Sequence, residues 1–272
     1  MSLKKVGLRA VSGVVYCGLI VLCIYLGLPG VTALAMLFSA LGCVEFNKMT
    51  HSVSENTIPA IALDVVGCLC LCFGYLGYPL IVWGVVLLCR FILQLYINSD
   101  RPLQGLSRSM LTQIYIGFPM AIMTGIACFF SPMILLAIFI LIWLNDTGAF
   151  IVGSLMGRHK LFERISPNKT WEGFFGGFLF CVVASWLFGV YCNGFFQTDK
   201  YFFTIPAWII LGVIVSTIGT WGDLIESMFK RSLHIKDSGS LIPGHGGILD
   251  RIDSLLLVLP ALAIYLCTLL MF

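Results

Sequence analysis

Nine apolar runs, each 18 residues or longer, follow one another along the chain at about residues 8–28, 29–46, 57–75, 77–97, 112–131, 133–153, 171–195, 203–226 and 252–271. Roughly 20 apolar residues of helix span the hydrocarbon of a bilayer. Inside it, backbone N–H and C=O groups must pair within their own segment, so each run reads as a helix. The composition agrees: 59% of the residues are hydrophobic and 11% charged, whereas soluble domains carry about 25% charged residues. The expected fold class is therefore an all-α polytopic integral membrane protein with about nine transmembrane helices. The first run follows Lys4, Lys5 and Arg9 and is closed by no A-x-A site. It reads as a retained span rather than a cleaved signal.

Basic residues give the expected orientation. With nine spans, one face carries fourteen of the sixteen Lys and Arg residues, from Lys4 to Arg251, with Arg108 among them. The other face carries Lys200, and Arg90 lies within the fourth run. Positive-inside bias assigns the basic face to the cytoplasm. The N-terminus is then expected in the cytoplasm and the C-terminus outside. A net charge of +3 gives no argument for nucleic acid. The eleven cysteines lie in or beside apolar runs and read as small apolar side chains. Up to about residue 110 there is little chemistry beyond Asp64 and Arg90. As intramembrane charges these read as an ion pair, a cavity lining, or groups nearer an interface. The expected organisation is a scaffold over 1–110 and a catalytic region over 111–272, with its polar loops on the cytoplasmic face.

Polar chemistry is concentrated late in the chain. In "WGDLIESMFKR", Asp223, Glu226, Ser227, Lys230 and Arg231 share one side of a helix that continues the eighth run. Asp223 comes so soon after apolar residues that it reads as a metal ligand or an ion-pair member. In "KDSGSLIPGHGGILDRID", Gly244, Gly246 and Gly247 flank His245, and Asp250, Arg251 and Asp253 open the last helix. Such glycines permit backbone conformations closed to other residues and close approach to a ligand. Successive N–H groups in such a loop can hold an anion.

Together these segments form a phosphate-handling set. Carboxylates suit Mg²⁺, which takes one or two of them and completes its shell with water and phosphate oxygens. Lys and Arg neutralise charge on phosphoryl groups. A zinc site finds no HExxH spacing, and a P-loop finds no GxxxxGK[ST]. Upstream, "NDTGAFIVGSLMGRHKLFERISPNKTWEG" reads as a loop and helix start. Ser166 or Asn168 is the expected cap, Glu172 a first-turn acid, Lys169 a phosphate contact, and Gly153 and Gly157 positions of close helix packing.

The run Ser227, Lys230, Arg231, Lys236, Asp237, Gly239, Ile242, Pro243, His245, Gly246, Gly247, Asp250, Arg251, Asp253 resembles the signature of phosphatidate cytidylyltransferases, the CDP-diacylglycerol synthases. "NDTGAF…SPNKTWEG" is similar to the upstream region of that family, although Asn168 departs from its usual residues. The resemblance implies a Mg²⁺-dependent transfer of CMP from CTP to phosphatidic acid, with K⁺ in a paired cation site and a homodimeric protein in the inner membrane. On the matching positions it implies Asp223 and Asp250 as principal metal ligands, with Glu226 and Asp253 as lesser ones. Lys230, Arg231, Lys236 and Arg251 would hold phosphates, and the Gly244–Gly247 loop would meet CTP. Ser227, Asp237, His245 and Lys169 complete the substrate contacts. The nearest alternative is a CTP-dependent polyprenol or dolichol kinase. A CDP-alcohol phosphatidyltransferase should show D-G-x-x-A-R, which is absent. A transporter should carry its carboxylates near mid-membrane.

Overall fold

The computed structural model describes residues 3–50, 57–198, 203–239 and 246–271. Among these, ten helices account for nearly all regular structure: α1 (Leu3–Tyr25), α2 (Leu28–Met49), α3 (Ile58–Leu71), α4 (Tyr78–Tyr96), α5 (Pro102–Thr112), α6 (Phe118–Phe129), α7 (Pro132–Met156), α8 (Trp171–Leu187), α9 (Ile205–Ser232) and α10 (Leu249–Met271). A π-helical turn, Gln113–Gly117, joins α5 to α6, and another, Phe188–Cys192, extends α8. Proline occupies the first turn of α2, α3, α4, α5, α7 and α9. There its missing N–H has no helical acceptor to lose. Ser131 and Thr204 cap α7 and α9 by accepting from the backbone N–H of Met133 and Ala207.

Seven of these helical stretches are long and apolar enough to cross a membrane, the joined Pro102–Phe129 counting as one. The protein is an all-helical polytopic membrane protein. Two expected spans are shorter as apolar helices, Val11–Tyr25 and Ile58–Leu71. At 1.5 Å per residue the latter reaches only about 21 Å, so among the described residues seven spans are found by length where the apolar runs gave nine. The run at 29–46 is longer than expected: α2 continues to Met49 and has 22 residues.

The chain divides into two compact units, residues 1–128 with 237–252, and residues 129–236 with 253–272. In the first, a polar network crosses the apolar interior. Asp64 and Arg90, both buried, form an ion pair at 3.8 Å. Ser109 joins them, donating to Asp64 Oδ2 at 3.0 Å and accepting from Arg90 Nε at 2.8 Å. Of the three readings left open for these charges, the ion pair is the one found. Arg108, counted with the basic face, lies in α5 and is also buried.

In the second unit α7 and α8 are the most closely packed pair. Gly148, Gly153, Gly173, Gly176 and Gly177 line their seam. A Cβ at Gly176 would stand 2.5 Å from Val152 Cβ, and one at Gly177 2.7 Å from the Asn145 carbonyl oxygen. Without water to drive helices together, such close van der Waals contact is what holds them. The packing expected at Gly153 is found here, with a Cβ there only 3.4 Å from Gly173 Cα.

Between α7 and α8 the expected loop is an antiparallel hairpin, β1 (Lys160–Phe162) and β2 (Ser166–Thr170), with Lys160 opposite Thr170 and Phe162 opposite Ser166. The cap of α8 is Thr170, whose hydroxyl accepts from the Gly173 N–H at 3.1 Å. Ser166 and Asn168 are too early for this because strand β2 runs on through Thr170. Glu172 is in the first turn of α8 as expected. Its carboxylate accepts from the N–H groups of Arg158 and His159 and meets His159 Nδ1 at 2.6 Å.

Candidate active site

Helix α9 has 28 residues and is about 42 Å long. This exceeds an apolar thickness of about 30 Å, enough length for its polar last turns to reach beyond the hydrocarbon. Gly222 lets α10 approach closely: a Cβ there would lie 2.9 Å from the Asp253 carbonyl and 3.0 Å from Ser254 Cα. Asp223, the next residue, is thereby set near Asp253. The hairpin lies against the same turns. Phe162 meets Trp221 edge to face at 5.6 Å, and Arg231 Nε donates to the Ile165 carbonyl at 3.3 Å.

On this frame Lys169 Nζ reaches Asp223 Oδ2 at 2.6 Å, both side chains partly exposed. Ser227, one turn on, donates to Asp223 Oδ1 at 3.2 Å. Lys230 pairs with the buried Glu226 at 3.1 Å. The helical stripe read from the sequence thus resolves into two i,i+4 contacts. Asp253 feels the charges of Asp223, Glu226 and Asp146. Two carboxylate–lysine pairs, Asp223 with Lys169 and Glu226 with Lys230, thus stand within one unit, with the Asp253 backbone against Gly222 beside them.

Asp223 and Lys169 form part of the wall of a cavity of about 580 Å³, which is also lined by Asn145, Asp146, Thr220 and Phe174. Pockets for small organic ligands span about 300–1,000 Å³. Asn145 is held in place by Ser216, which donates to its Oδ1 at 2.8 Å. Asp146 on α7 was not among the expected site residues. The signal was present, since it is a carboxylate inside an apolar run. Asn168, given little weight in the sequence, also lines the cavity.

The other expected site residues divide between the two units. Arg231 spends its guanidinium on the Ile165 and Ile235 carbonyls. Lys236, in the second unit, and Asp237, in the first, are exposed. In the first unit Asp250 Oδ2 accepts from the backbone N–H of Ser238 at 3.0 Å and of Gly247 at 2.9 Å. Arg251 is exposed, and its carbonyl accepts from the Tyr16 hydroxyl at 3.1 Å. Gly246 has φ +85°, the left-handed conformation anticipated for this glycine loop. Gly244 and His245 lie outside the described residues.

The donor set suits Mg²⁺, a hard cation that prefers carboxylate and phosphate oxygens. Among the described residues, no three His, Cys, Asp or Glu side chains converge into a ready-made metal centre. An ion carried by one or two carboxylates together with substrate phosphates needs no such convergence.

The fold and site define a polytopic helical protein with carboxylates and lysines around a cavity near the polar end of a long helix. Residues 7–269 match the cytidylyltransferase family, and the chain belongs to that family. It is 52% identical over 130 residues to phosphatidate cytidylyltransferase of Staphylococcus aureus strain COL, covering 47% of this chain and 46% of that one. The proteins of the same name from Staphylococcus saprophyticus and Staphylococcus epidermidis are 48% and 47% identical over 130 residues, again covering 47% of this chain and 46% of each relative. The chain thus spans about half the length of the curated relatives it matches.

Proposed function

We propose that this protein is a CTP:phosphatidate cytidylyltransferase of the bacterial inner membrane. A phosphate oxygen of phosphatidic acid attacks the α-phosphorus of CTP. The bond from that phosphorus to the bridging oxygen breaks, and CDP-diacylglycerol and pyrophosphate leave. The reading is supported by the activity for which the relatives are named and carried by one observation, the pairing of Lys169 with Asp223 in the wall of a single cavity. No covalent nucleophile is needed, because the lipid phosphate is already anionic. Catalysis is then mainly positioning and charge stabilisation.

In this reading Asp223 is the principal metal-holding carboxylate of its unit, with Glu226 and Asp253 beside it, and the sequence pattern adds Asp250. Bound Mg²⁺, with K⁺ in a paired site, would draw charge from the CTP phosphates. Ser227 fixes the Asp223 rotamer. Lys169 and Lys230 supply mobile positive charge, each balanced by a carboxylate until phosphate arrives. Lys236 and Arg251, both exposed, are further phosphate contacts, and Gly246 and Gly247 meet the nucleotide. The active form is a homodimer, and the polar helix ends face the cytoplasm, where CTP is found.

The test is a product assay on purified protein with phosphatidic acid and Mg²⁺. Label on the α-phosphate of CTP is expected to enter lipid, with pyrophosphate released in equal amount. Label entering a polyprenol from the γ-phosphate would instead identify a lipid kinase. Pyrophosphate release that ignored phosphatidic acid would refute the proposal. For topology, nine spans place a reporter fused after residue 272 outside the cytoplasm. A cytoplasmic signal would change the span count by one.

A further inference from the structure

We propose that Glu45 is a positioning residue for the polar loop ahead of α10. It lies on α2, in the half of the chain that the sequence assigned to scaffolding, and is 8% exposed. Its Oε1 accepts from the Ser238 hydroxyl in a short contact, and its Oε2 accepts from the Ile248 N–H at 2.7 Å. Gly239 and Gly247 leave room for it. A Cβ at Gly239 would stand 2.8 Å from Oε1, and one at Gly247 would overlap the same oxygen. Ser238 is held twice, by its hydroxyl to Glu45 and by its N–H to Asp250. Two carboxylates therefore tie residues 238–239 to residues 247–248, and one of them is Asp250, a proposed metal ligand.

A carboxylate suits this task. Both of its oxygens accept, so hydroxyl and N–H are satisfied together. Methionine at the same place would keep the volume and leave both donors without an acceptor. Leaving a buried donor unsatisfied is costly, and the loop would shift to relieve it. Glu45 touches no proposed substrate atom. It acts through Asp250, whose Oδ2 depends on the Ser238 and Gly247 N–H groups staying in place. The functional half of this inference rests on the cytidylyltransferase reading above.

The experiment compares wild type, Glu45→Met, Ser238→Ala and the double variant in detergent. Glu45→Ala is a harsher fourth case; should it fail to fold, the volume-conserving Met variant still decides. Hydrogen exchange over residues 237–250 is expected to speed up in each variant. Because outer contacts to metal-binding residues are worth about 10–100-fold, kcat is expected to fall about tenfold or more, while KM for phosphatidic acid changes less than about threefold. The double variant should be no worse than Glu45→Met, since the Ser238 contact is already lost in it. Unchanged exchange, kcat within about twofold of wild type, or losses that multiply would each overturn the proposal. A purely structural role would lower thermal stability without this split between kcat and KM. If wild type itself makes no CDP-diacylglycerol, the functional reading fails, and the exchange data still decide whether Glu45 holds the loop.

Discussion

Asp223→Asn is expected to lower cytidylyl transfer at least about 10²-fold while leaving a folded membrane protein. Removing one preorganised charge-stabilising group typically costs about 10²–10³-fold in turnover, and Asp223 is proposed to act on the metal directly. The structural cost is small by comparison. Both members of the Lys169–Asp223 pair are partly exposed, and such pairs contribute about 0–1 kcal/mol. Asparagine keeps the volume and can still accept from Ser227. Size-exclusion profile and thermal midpoint should therefore match wild type while product formation collapses. Near-normal turnover would remove Asp223 from the metal site. Asp250→Asn is a less clean test of the same idea. Its Oδ2 already accepts from two backbone N–H groups, so lost activity there could reflect a displaced loop.

The largest effect on stability is expected from Gly176→Leu. A Cβ there would stand 2.5 Å from both Cβ and Cγ2 of Val152 and 3.0 Å from the Gly148 carbonyl oxygen. A whole isobutyl group cannot enter unless α7 and α8 part, and over-packing costs about 1–3 kcal/mol or more. The helices would lose their close seam along its length. The thermal midpoint in detergent is expected to drop about 5–10 °C, since 1 kcal/mol corresponds to about 2–4 °C at this size. Gly84→Leu on α4 is the control, because nothing lies within 4 Å of a Cβ there. Its midpoint should stay within about 2 °C of wild type. Equal effects at the two positions would mean that the seam is not what holds this unit.

The helices were legible because hydrophobic length is a strong signal, and their starts were marked by proline. The stripe from Asp223 to Lys230 was legible because helical spacing places those residues on one face. The hairpin was not. Over "KLFERISPNKT" a single strand residue, Leu161, is a buried apolar one, so the alternation that marks a half-buried strand never develops, and Pro167 argues against one. The burial of Arg108 was not legible, because a basic residue in a short polar stretch looks solvated until its helix is packed. Asp146 and Glu45 were passed over for the opposite reason. Each is a lone carboxylate in apolar surroundings, and its role depends on residues distant in the chain, Asp223 in the same cavity wall for one and Ile248 for the other. No local pattern encodes such a meeting. The glycine loop was recognised as a feature, but its anchor on α2 was not.

The contact between Glu45 and Ile248 joins positions 203 residues apart, and this bears on how the chain is made. At a synthesis rate of about 5–20 residues per second, Glu45 leaves the ribosome roughly 10–40 s before its backbone donor. During that interval most of the membrane helices are threaded into the lipid, with one end of the bond still waiting for the other. The amino-terminal unit therefore cannot finish folding as it emerges. Its last piece arrives only after nearly all of the other unit has been translated, so the two halves mature late and together, and neither is a module that can be cut away at the midpoint of the gene.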